Sequence, residues 1–284
     1  MALLSLPREL LIMIAKLLKS EKGLNVYARS CRLLYNLTID HLYHNNIKEH
    51  GSFALFWAAE YGIIETVRKC LAQGADVDMR APATSDWATT PTMMGSALCI
   101  ATAYRHESIA ILLLYNGADV NFRDGYHRTP LRLTNGREPL LKLLLDRGAN
   151  VNSRDGMGRT PLMTAVNDDN VNSMLLLLQA GARVNVKDNR GQSANFHAAG
   201  RNRSIAVMKT LSYHGAKINV IDNDGETPLS AAAYHESEKP IMLLLQHSAD
   251  QSLLNRSPGI RARRSLGIDL IERVKLLAEK ARIK

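Results

Sequence analysis

One five-residue phrase returns through this chain at nearly constant spacing, and that spacing constrains the fold more than any other feature. The phrase opens with Gly-Ala and closes with Asn or Asp. Its copies begin, in chain order, at Gly74, Gly117, Gly148, Gly181, Gly215 and, in a faded form, Ser248. The steps between them are 43, 31, 33, 34 and 33 residues. A period near 33 residues is typical of stacked repeats, because no single unit of that size can bury its apolar face alone.

The copy that spans residues 155–185 shows what one repeat contains. It opens at Asp155 with an Asp-Gly-Met-Gly sequence, which is turn chemistry. Thr160 can cap a first helix, and Pro161 suits its first position because the missing N–H costs no hydrogen bond there. A second helix rich in leucine follows and ends at Gly181, which supplies a left-handed stop. The sequence therefore predicts a unit of turn, helix, helix and turn.

This unit resembles the ankyrin repeat, whose pattern is Asp-x-x-Gly-x-Thr-Pro-Leu-His-x-Ala-Ala, a second helix, then Gly-Ala-Asp-Val-Asn. The resemblance implies an all-α ankyrin-repeat solenoid of helix-turn-helix units with β-hairpin-like turns, and a role in protein binding. The six predicted repeats, numbered 1 to 6 below, occupy residues 51–78, 79–121, 122–152, 153–185, 186–219 and 220–252.

The six repeats depart from the family pattern at defined positions. None has the histidine that follows Leu, and that histidine is a structural hydrogen-bonder in the family. Its loss is therefore expected to loosen local order and not to remove a catalyst. The residues at its position are Phe56, Cys99, Arg132, Met163, Phe196 and Ser230. Repeat 3 is also two residues short and puts His127 where the turn glycine belongs.

Repeat 2 carries an insertion of about ten residues within residues 79–95, rich in Ala, Pro, Thr and Ser and with one tryptophan, Trp87. Inserted loops on one face of a solenoid are often binding elements. A tolerated insertion with no role is the alternative, and the sequence leaves both open.

The net charge of +9 is concentrated outside the repeats. Residues 1–50 carry +3, residues 51–255 carry zero and residues 256–284 carry +6. Neutral repeats argue against nucleic-acid binding through a broad basic face. Three cysteines without a Cys-x-x-Cys pair favour buried reduced thiols in a cytoplasmic or nuclear protein. Neither a secretory signal nor a membrane-spanning stretch is expected.

Residues 1–50 do not fit the repeat and are predicted to form three short helices. The pattern Leu-Pro-x-Glu-Leu-x-x-x-Ile, which starts at Leu6, resembles the beginning of an F-box. In that family the segment docks onto the Skp-type adaptor of a cullin–RING ubiquitin ligase. The adaptor-binding positions implied by the resemblance are Leu6, Pro7, Leu10, Ile14 and Leu17. The order of the two parts is similar to that of F-box–ankyrin proteins of filamentous fungi. The alternative is a capping bundle that shields the apolar edge of repeat 1.

Ankyrin recognition generally uses the hairpin tips and the exposed face of each first helix. Aromatic and arginine side chains dominate interface energetics, so a concave groove with an aromatic–arginine centre is predicted. The client-binding residues that the resemblance implies are Tyr61, Trp87, Tyr104, Arg123, Tyr126, Arg128, Arg154, Arg159, Arg190 and Tyr234. A solvated edge of mixed charge is the alternative. Glu226, with Asp222 and Asp224, is expected to make the last tip acidic.

The basic C-terminal segment, residues 253–284, contains a predicted helix over 266–281. Leu270, Val274 and Leu277 lie on one apolar face, and basic residues occupy the rest. A capping helix or degenerate seventh repeat over repeat 6 is the favoured interpretation. A nuclear-targeting cluster at 261–264 and a membrane-surface helix are the alternatives.

Catalytic motifs are missing from the sequence. We find no phosphate-binding loop, nucleophile elbow, His-Glu-x-x-His or paired-cysteine metal motif. A zinc site at Cys31 with His41, His44 and His50 can be imagined, but helical spacing alone is weak evidence for one. No catalytic residue, cofactor or metal is therefore expected.

The leading hypothesis is a substrate receptor of a cullin–RING ubiquitin ligase. The ankyrin repeats would bind a protein client, and residues 1–50 would bind the Skp-type adaptor. The rival is an ankyrin scaffold with an N-terminal helical cap and no ubiquitin role.

Overall fold

Short helices joined in pairs build the protein, and a computed structural model describes residues 53–80, 95–200, 204–260 and 270–282. The predicted F-box-like segment and the imagined zinc ligands, all within residues 1–50, lie outside the described residues, as does most of the insertion, 81–94 with Trp87. Within the described ranges no residue is in a strand. The prediction of an all-α repeat fold is therefore confirmed there.

Two compact units divide the chain, an N-terminal lobe at residues 1–126 and a C-terminal lobe at 127–284. The N-terminal lobe contains α1 (Phe53–Tyr61), α2 (Ile64–Ala72), α3 (Ala97–Ala103) and α4 (Glu107–Tyr115). The C-terminal lobe contains α5 (Pro130–Leu133), α6 (Glu138–Asp146), α7 (Pro161–Asn167), α8 (Val171–Gln179), α9 (Ala194–Gly200), α10 (Ile205–Tyr213), α11 (Pro228–Tyr234), α12 (Glu238–Gln246), a 3-10 helix (Gln251–Arg256) and α13 (Leu270–Arg282).

Each lobe is a stack of helix pairs. In the N-terminal lobe α1 packs on α2 and α3, and α4 packs on α2 and α3. In the C-terminal lobe the first helices α5, α7, α9 and α11 form one row, and the second helices α6, α8, α10 and α12 form another. The core lies between the rows, where Leu162, Val166 and Met174 are buried. Each such side chain contributes about 1.5–3 kcal/mol by leaving water.

The predicted start of α7 is confirmed. Thr160 Oγ1 accepts a hydrogen bond from the Met163 N–H at 3.4 Å, and Pro161 occupies the first turn of α7. Thr227 and Ser230 form a reciprocal capping box at α11. α5 is only four residues long, which matches the two residues missing from repeat 3. His127 takes the left-handed conformation, φ 60°, that the turn glycine would have adopted.

In the C-terminal lobe, the asparagine at the end of one repeat forms hydrogen bonds with the backbone of the next. Asn152 accepts from the Arg183 N–H at 2.8 Å and donates from Nδ2 to the Gly181 carbonyl at 3.2 Å. Asn185 does the same to Lys217 and Gly215, and Asn219 to Asp250 and Ser248. The same geometry of donor and acceptor therefore joins four successive repeats, 3 to 6, at three junctions.

Several residues at the family-histidine position make hydrogen bonds of their own. Cys99 Sγ donates to the Phe122 carbonyl at 3.7 Å. Arg132 Nη2 donates to Asp155 Oδ2 at 3.1 Å. Ser230 Oγ accepts from the Thr227 N–H at 2.8 Å. The expected loosening of local order is therefore wrong for repeats 2, 3 and 6, because other donors and acceptors replace the imidazole.

The C-terminal helix α13 packs against α12 and α11, with Leu270, Val274 and Leu277 buried. Arg273 on its outer face donates to Glu238 at 3.1 Å and also to Glu236. The helix is thus laid over repeat 6, as a capping helix would be.

The structure corrects the prediction that the last tip is acidic. Glu226 Oε2 accepts from Ser230 Oγ at 2.5 Å and from Ser257 Oγ at 2.6 Å. Glu226 Oε1 accepts from the Gly259 N–H at 2.8 Å. Asp222 is buried, so Asp224 is the one fully exposed residue among the three acidic residues of this tip. Glu226 therefore holds the chain after repeat 6 in place and presents little charge to a partner.

Candidate protein-binding surfaces

A groove of about 620 Å³ runs between the hairpin tips and the first helices of repeats 4 to 6. Met157 and Arg159 line it from the tip of repeat 4, and Arg190 lines it from the tip of repeat 5. Phe196 and Gly200 of α9 and Ala231 and His235 of repeat 6 line it from the helices, and the remaining lining residues are Gly156, Asp188, Asn189, Gln192 and His197. Its volume lies in the range of clefts that hold a drug-sized ligand. We call it the tip groove.

Hydrogen bonds between successive tips hold the wall of the tip groove in place. The Asn189 N–H donates to the Met157 carbonyl at 3.0 Å, and Asn189 Nδ2 donates to the Gly156 carbonyl at 3.1 Å. The Asn223 N–H donates to the Arg190 carbonyl at 2.9 Å. The tips of repeats 4, 5 and 6 are therefore linked in series, so that Arg159 and Arg190 are presented from a fixed frame.

Asp188 is the one acidic residue among those that line the groove, and its charge is fully engaged. Its side chain is buried. Oδ1 accepts from the N–H groups of Arg190 and Gln192 at 2.9 and 3.0 Å, and Oδ2 lies 3.0 Å from His197 Nε2. This buried carboxylate organises the tip of repeat 5 and orients His197.

A second buried carboxylate, Asp155, anchors the tip of repeat 4. Arg132 Nη2 and Arg159 Nε reach its Oδ2 at 3.1 and 3.2 Å. Burial alone would raise the pKa of Asp155, but the Arg159 N–H and the two guanidinium charges outweigh burial and hold that pKa below its ordinary value. Burial also lowers the pKa of Arg132, which Asp155 opposes.

The floor of the tip groove is open because Gly200 stands where neighbouring repeats have larger side chains. The equivalent residues, four after the family-histidine position, are Asn167 on α7 and Tyr234 on α11. A Cβ on Gly200 would lie 3.5 Å from the Ala231 Cβ, which is ordinary van der Waals contact. The absence of a side chain is therefore not required by packing, and it leaves room above Phe196.

An aromatic cluster lies on the first helices of the N-terminal lobe. The rings of Trp57 and Tyr61 stack with centroids 4.6 Å apart and an interplanar angle of 26°. Burial raises the pKa of Tyr104, with further contributions from the charges of Glu60 and Tyr61, which places Tyr104 close to both. Tyr61 and Tyr104 are half exposed, at 50% and 40%. Tyr61 and Tyr104 are therefore partly accessible to a binding protein.

The structure places the sequence-predicted client residues in several settings. Arg159 and Arg190 meet in the tip groove. Tyr234 lies beside it, its ring edge-to-face with that of His235 at 5.3 Å. The Arg154 guanidinium is already used in hydrogen bonds between the tips of repeats 4 and 5, because it donates to the Gly158 and Lys187 carbonyls at 3.1 and 2.9 Å.

The remaining predicted client residues lie in or next to the N-terminal lobe. Tyr61 and Tyr104 belong to its aromatic cluster. Arg123 and Tyr126 are exposed on the turn before α5, and Arg128 is half-buried. Trp87 lies outside the described residues.

Sequence reasoning missed three features of the tip groove. Met157 was treated only as a turn residue, yet it is 62% exposed at the rim. His235 was not considered, although it follows the predicted Tyr234. Gly200 carried a usable signal, because the equivalent residues of the two neighbouring repeats, Asn167 and Tyr234, are larger.

Stacked helix pairs, capped starts and tip-to-tip hydrogen bonds define a repeat protein whose exposed tips and first helices face solvent. A family model described as ankyrin repeats (3 copies) matches residues 14–124, 98–188, 131–222 and 167–255. The chain belongs to the ankyrin-repeat family. It is accordingly a protein–protein interaction module, and proteins of this class are in general non-catalytic.

The other comparisons add little to the family match. No F-box model matches the chain, and no curated protein matches it. The first ankyrin match begins at residue 14, inside the segment predicted to be F-box-like. Of the helices that the structure describes, none combines the length and apolar character needed to cross a membrane.

Proposed function

We propose that this protein is a substrate receptor of a cullin–RING ubiquitin ligase. Its ankyrin repeats bind a protein client, and Leu6, Pro7, Leu10, Ile14 and Leu17 bind the Skp-type adaptor. The observation that carries the client half is the tip groove, in which Arg159 and Arg190 stand above an open apolar floor on a rigid wall. The adaptor half rests on the F-box resemblance of the sequence that begins at Leu6.

This chain performs no bond-making step in the proposed function. A separate conjugating enzyme modifies a lysine of the client. The receptor raises the effective concentration of that lysine near the enzyme and fixes its orientation. The tip-to-tip and Asn ladders of the C-terminal lobe serve this role, because they fix the geometry of the groove that binds the client. The site of action is cytoplasmic or nuclear.

A scaffold with an N-terminal helical cap is the second candidate function. The ankyrin match that begins at residue 14 favours it, since part of the F-box-like segment is counted there as repeat. Under this alternative, Leu10 and Ile14 shield the edge of repeat 1 and no ubiquitin machinery is recruited.

A capture experiment with purified Skp-type adaptor separates the two candidates. The full chain is compared with a Leu6→Ala, Pro7→Ala, Leu10→Ala variant. A Leu3→Ala, Leu4→Ala variant is the control, because it removes adjacent leucines outside the motif. The receptor function predicts that the wild type and the control capture the adaptor and that the triple variant does not, with its thermal transition unchanged. A folded wild type that captures no adaptor contradicts the proposal and leaves the scaffold.

A further inference from the structure

We infer that the tip groove binds an extended acidic segment of the partner protein, with carboxylates paired to Arg159 and Arg190 and an apolar side chain seated over Phe196 and Gly200. The inference rests on the proposed function for its biological setting and adds the chemical class of the client segment. Its physical basis is the charge and shape of the groove alone.

The charge available to a ligand in the groove is positive. Among the described residues the Arg190 guanidinium makes no hydrogen bond or ion pair, and its side chain is exposed. Arg159 lines the groove and uses Nε on Asp155, and among the described residues its terminal nitrogens make no hydrogen bond. The exposed carboxylates of Asp224 and Glu236 do not line the groove, and Glu236 is held by Arg273.

Guanidinium groups favour carboxylates because their planar donors match two oxygens at once. The pairing is stronger here than on an open surface, since the wall and floor exclude part of the water around it. Two guanidiniums on successive tips, which share one frame of hydrogen bonds, therefore favour a segment that carries more than one acidic residue.

The shape of the groove favours a peptide over a nucleic acid. Single-stranded nucleic acids are held by a continuous basic track together with exposed aromatic faces for the bases. Phe196 is 7% exposed and so offers no stacking face, and the repeats as a whole are neutral. An apolar side chain between two carboxylates fits the room that Gly200 leaves, and exposed Met157 can cover it from the rim.

Fluorescence anisotropy with the full chain tests the inference. The probe is a short fluorescein-labelled peptide of alternating glutamate and alanine with one central leucine. The same peptide with glutamine or with lysine in place of glutamate, and a short single-stranded thymidine oligonucleotide, are the comparison probes. The glutamate peptide is expected to bind at least about tenfold more tightly than the other three.

Two pairs of variants locate the binding. Arg190→Glu is expected to weaken the glutamate peptide by about tenfold or more, whereas Arg183→Glu should change it less than about twofold. Arg183 is an exposed arginine of the same lobe that does not line the groove, so it carries the same charge change elsewhere. Gly200→Tyr should block binding by filling the floor, and Gly200→Ala should not, because its Cβ makes only ordinary contact with Ala231.

Three results would overturn the inference. Equal affinity for the glutamate and glutamine peptides removes the role of charge. Equal weakening by Arg183→Glu and Arg190→Glu reduces the interaction to general electrostatics. Tighter binding of the oligonucleotide, dependent on Arg190, makes the ligand a phosphate chain. Each of these leaves adaptor capture untouched, so failure of the groove and failure of the receptor function are distinguishable.

Discussion

At the scale of single residues, Asp78 occupies the position that asparagine fills in later repeats. Asp78 Oδ1 accepts from the Asp119 N–H at 2.7 Å, as Asn152, Asn185 and Asn219 accept from the next repeat. A carboxylate lacks the N–H that those asparagines donate to the following carbonyl. Burial raises the pKa of Asp78, and the neighbouring charges of Asp119 and Asp76 raise it further against the opposing Asp119 hydrogen bond. The ionised form is thus disfavoured in the folded chain.

Asp78→Asn is therefore expected to stabilise the N-terminal lobe at pH 7. The amide keeps the acceptor, adds a donor toward Gly117, and removes a charge, for a gain of about 0.5–1.5 kcal/mol. Because the folded pKa is raised, ionisation costs stability as pH rises through it, so the gain should shrink as the pH falls toward 3. Urea unfolding at several pH values measures this.

Asp76→Asn is the matched control for that experiment. The Asp76 carboxylate accepts from the Asp78 N–H two residues on, at 3.0 Å, within its own turn, and makes no bond to the next repeat among the described residues. An equal gain from both substitutions contradicts the ladder explanation and leaves general relief of acidic repulsion.

At the scale of elements, the structure shows how repeat 6 is closed. Glu226 stands where Arg159 and Gln192 stand in repeats 4 and 5, but it turns away from the groove and accepts three hydrogen bonds. Two of its donors, Ser257 and Gly259, belong to the chain that leads to α13. One side chain therefore changes a repeat tip into an anchor for the C-terminal cap.

Glu226→Gln should release this anchor. A carboxylate that accepts from three donors is replaced by an amide with one acceptor oxygen, so at least one buried donor loses its partner, at a cost of about 1–3 kcal/mol. Hydrogen exchange in residues 257–260 and 270–282 should accelerate while exchange in α7 and α8 stays unchanged. The exposed neighbour Asp224→Asn is the control. Unaltered exchange in the cap would show that α13 packing alone holds the segment.

The element scale is also where the sequence was most informative. The period of the Gly-Ala phrase, Thr160 with Pro161, and Gly181 fixed the helix pairs because each acts through local backbone chemistry. The two residues missing from repeat 3 were visible in the sequence, and the structure shows that α5 is short. The hydrogen bonds of Glu226 with Ser257 and Gly259 could not be foreseen, because these donors lie 31 and 33 residues away in the sequence and no local rule predicts the contact.

Only part of the tip groove could be predicted from the sequence, for the same physical reason. Arg159 and Arg190 could be assigned to tips from the repeat register. Their relation to Phe196, Gly200 and His235 depends on how three successive repeats stack, which the register alone does not give. Asn167 and Tyr234, the equivalent residues of the two neighbouring repeats, are larger than Gly200, and a comparison of these three repeats reveals the missing side chain.

At the scale of the whole molecule, acid is expected to weaken the C-terminal lobe through Asp155. Because its folded pKa is lowered, the carboxylate contributes stability above its unfolded pKa, near 3.8, and that stability is lost as pH falls through the folded pKa. Asp155→Asn should therefore lower the midpoint temperature of unfolding at pH 7. The difference in midpoint temperature between this variant and the wild type should become smaller in acid.

Asp146→Asn serves as the control for the acid experiment, since Asp146 is exposed at the end of α6. Circular dichroism melts between pH 7 and pH 3 give the comparison. A deficit of Asp155→Asn that stays constant over this range would place the lost stability in packing and not in the charge of the carboxylate.

The two proposed binding regions, the leucine-rich sequence near residue 10 and the groove within residues 156–235, should act independently because they lie far apart in the sequence. The measurement that tests this most directly is quantitative affinity purification from a lysate of a filamentous fungus. Wild type is compared with the Leu6→Ala, Pro7→Ala, Leu10→Ala variant and with Arg190→Glu. The account predicts that the first variant loses the adaptor and cullin but keeps the client, and that the second loses the client alone. Loss of the same proteins by both variants, or capture of no adaptor by any of them, would contradict it.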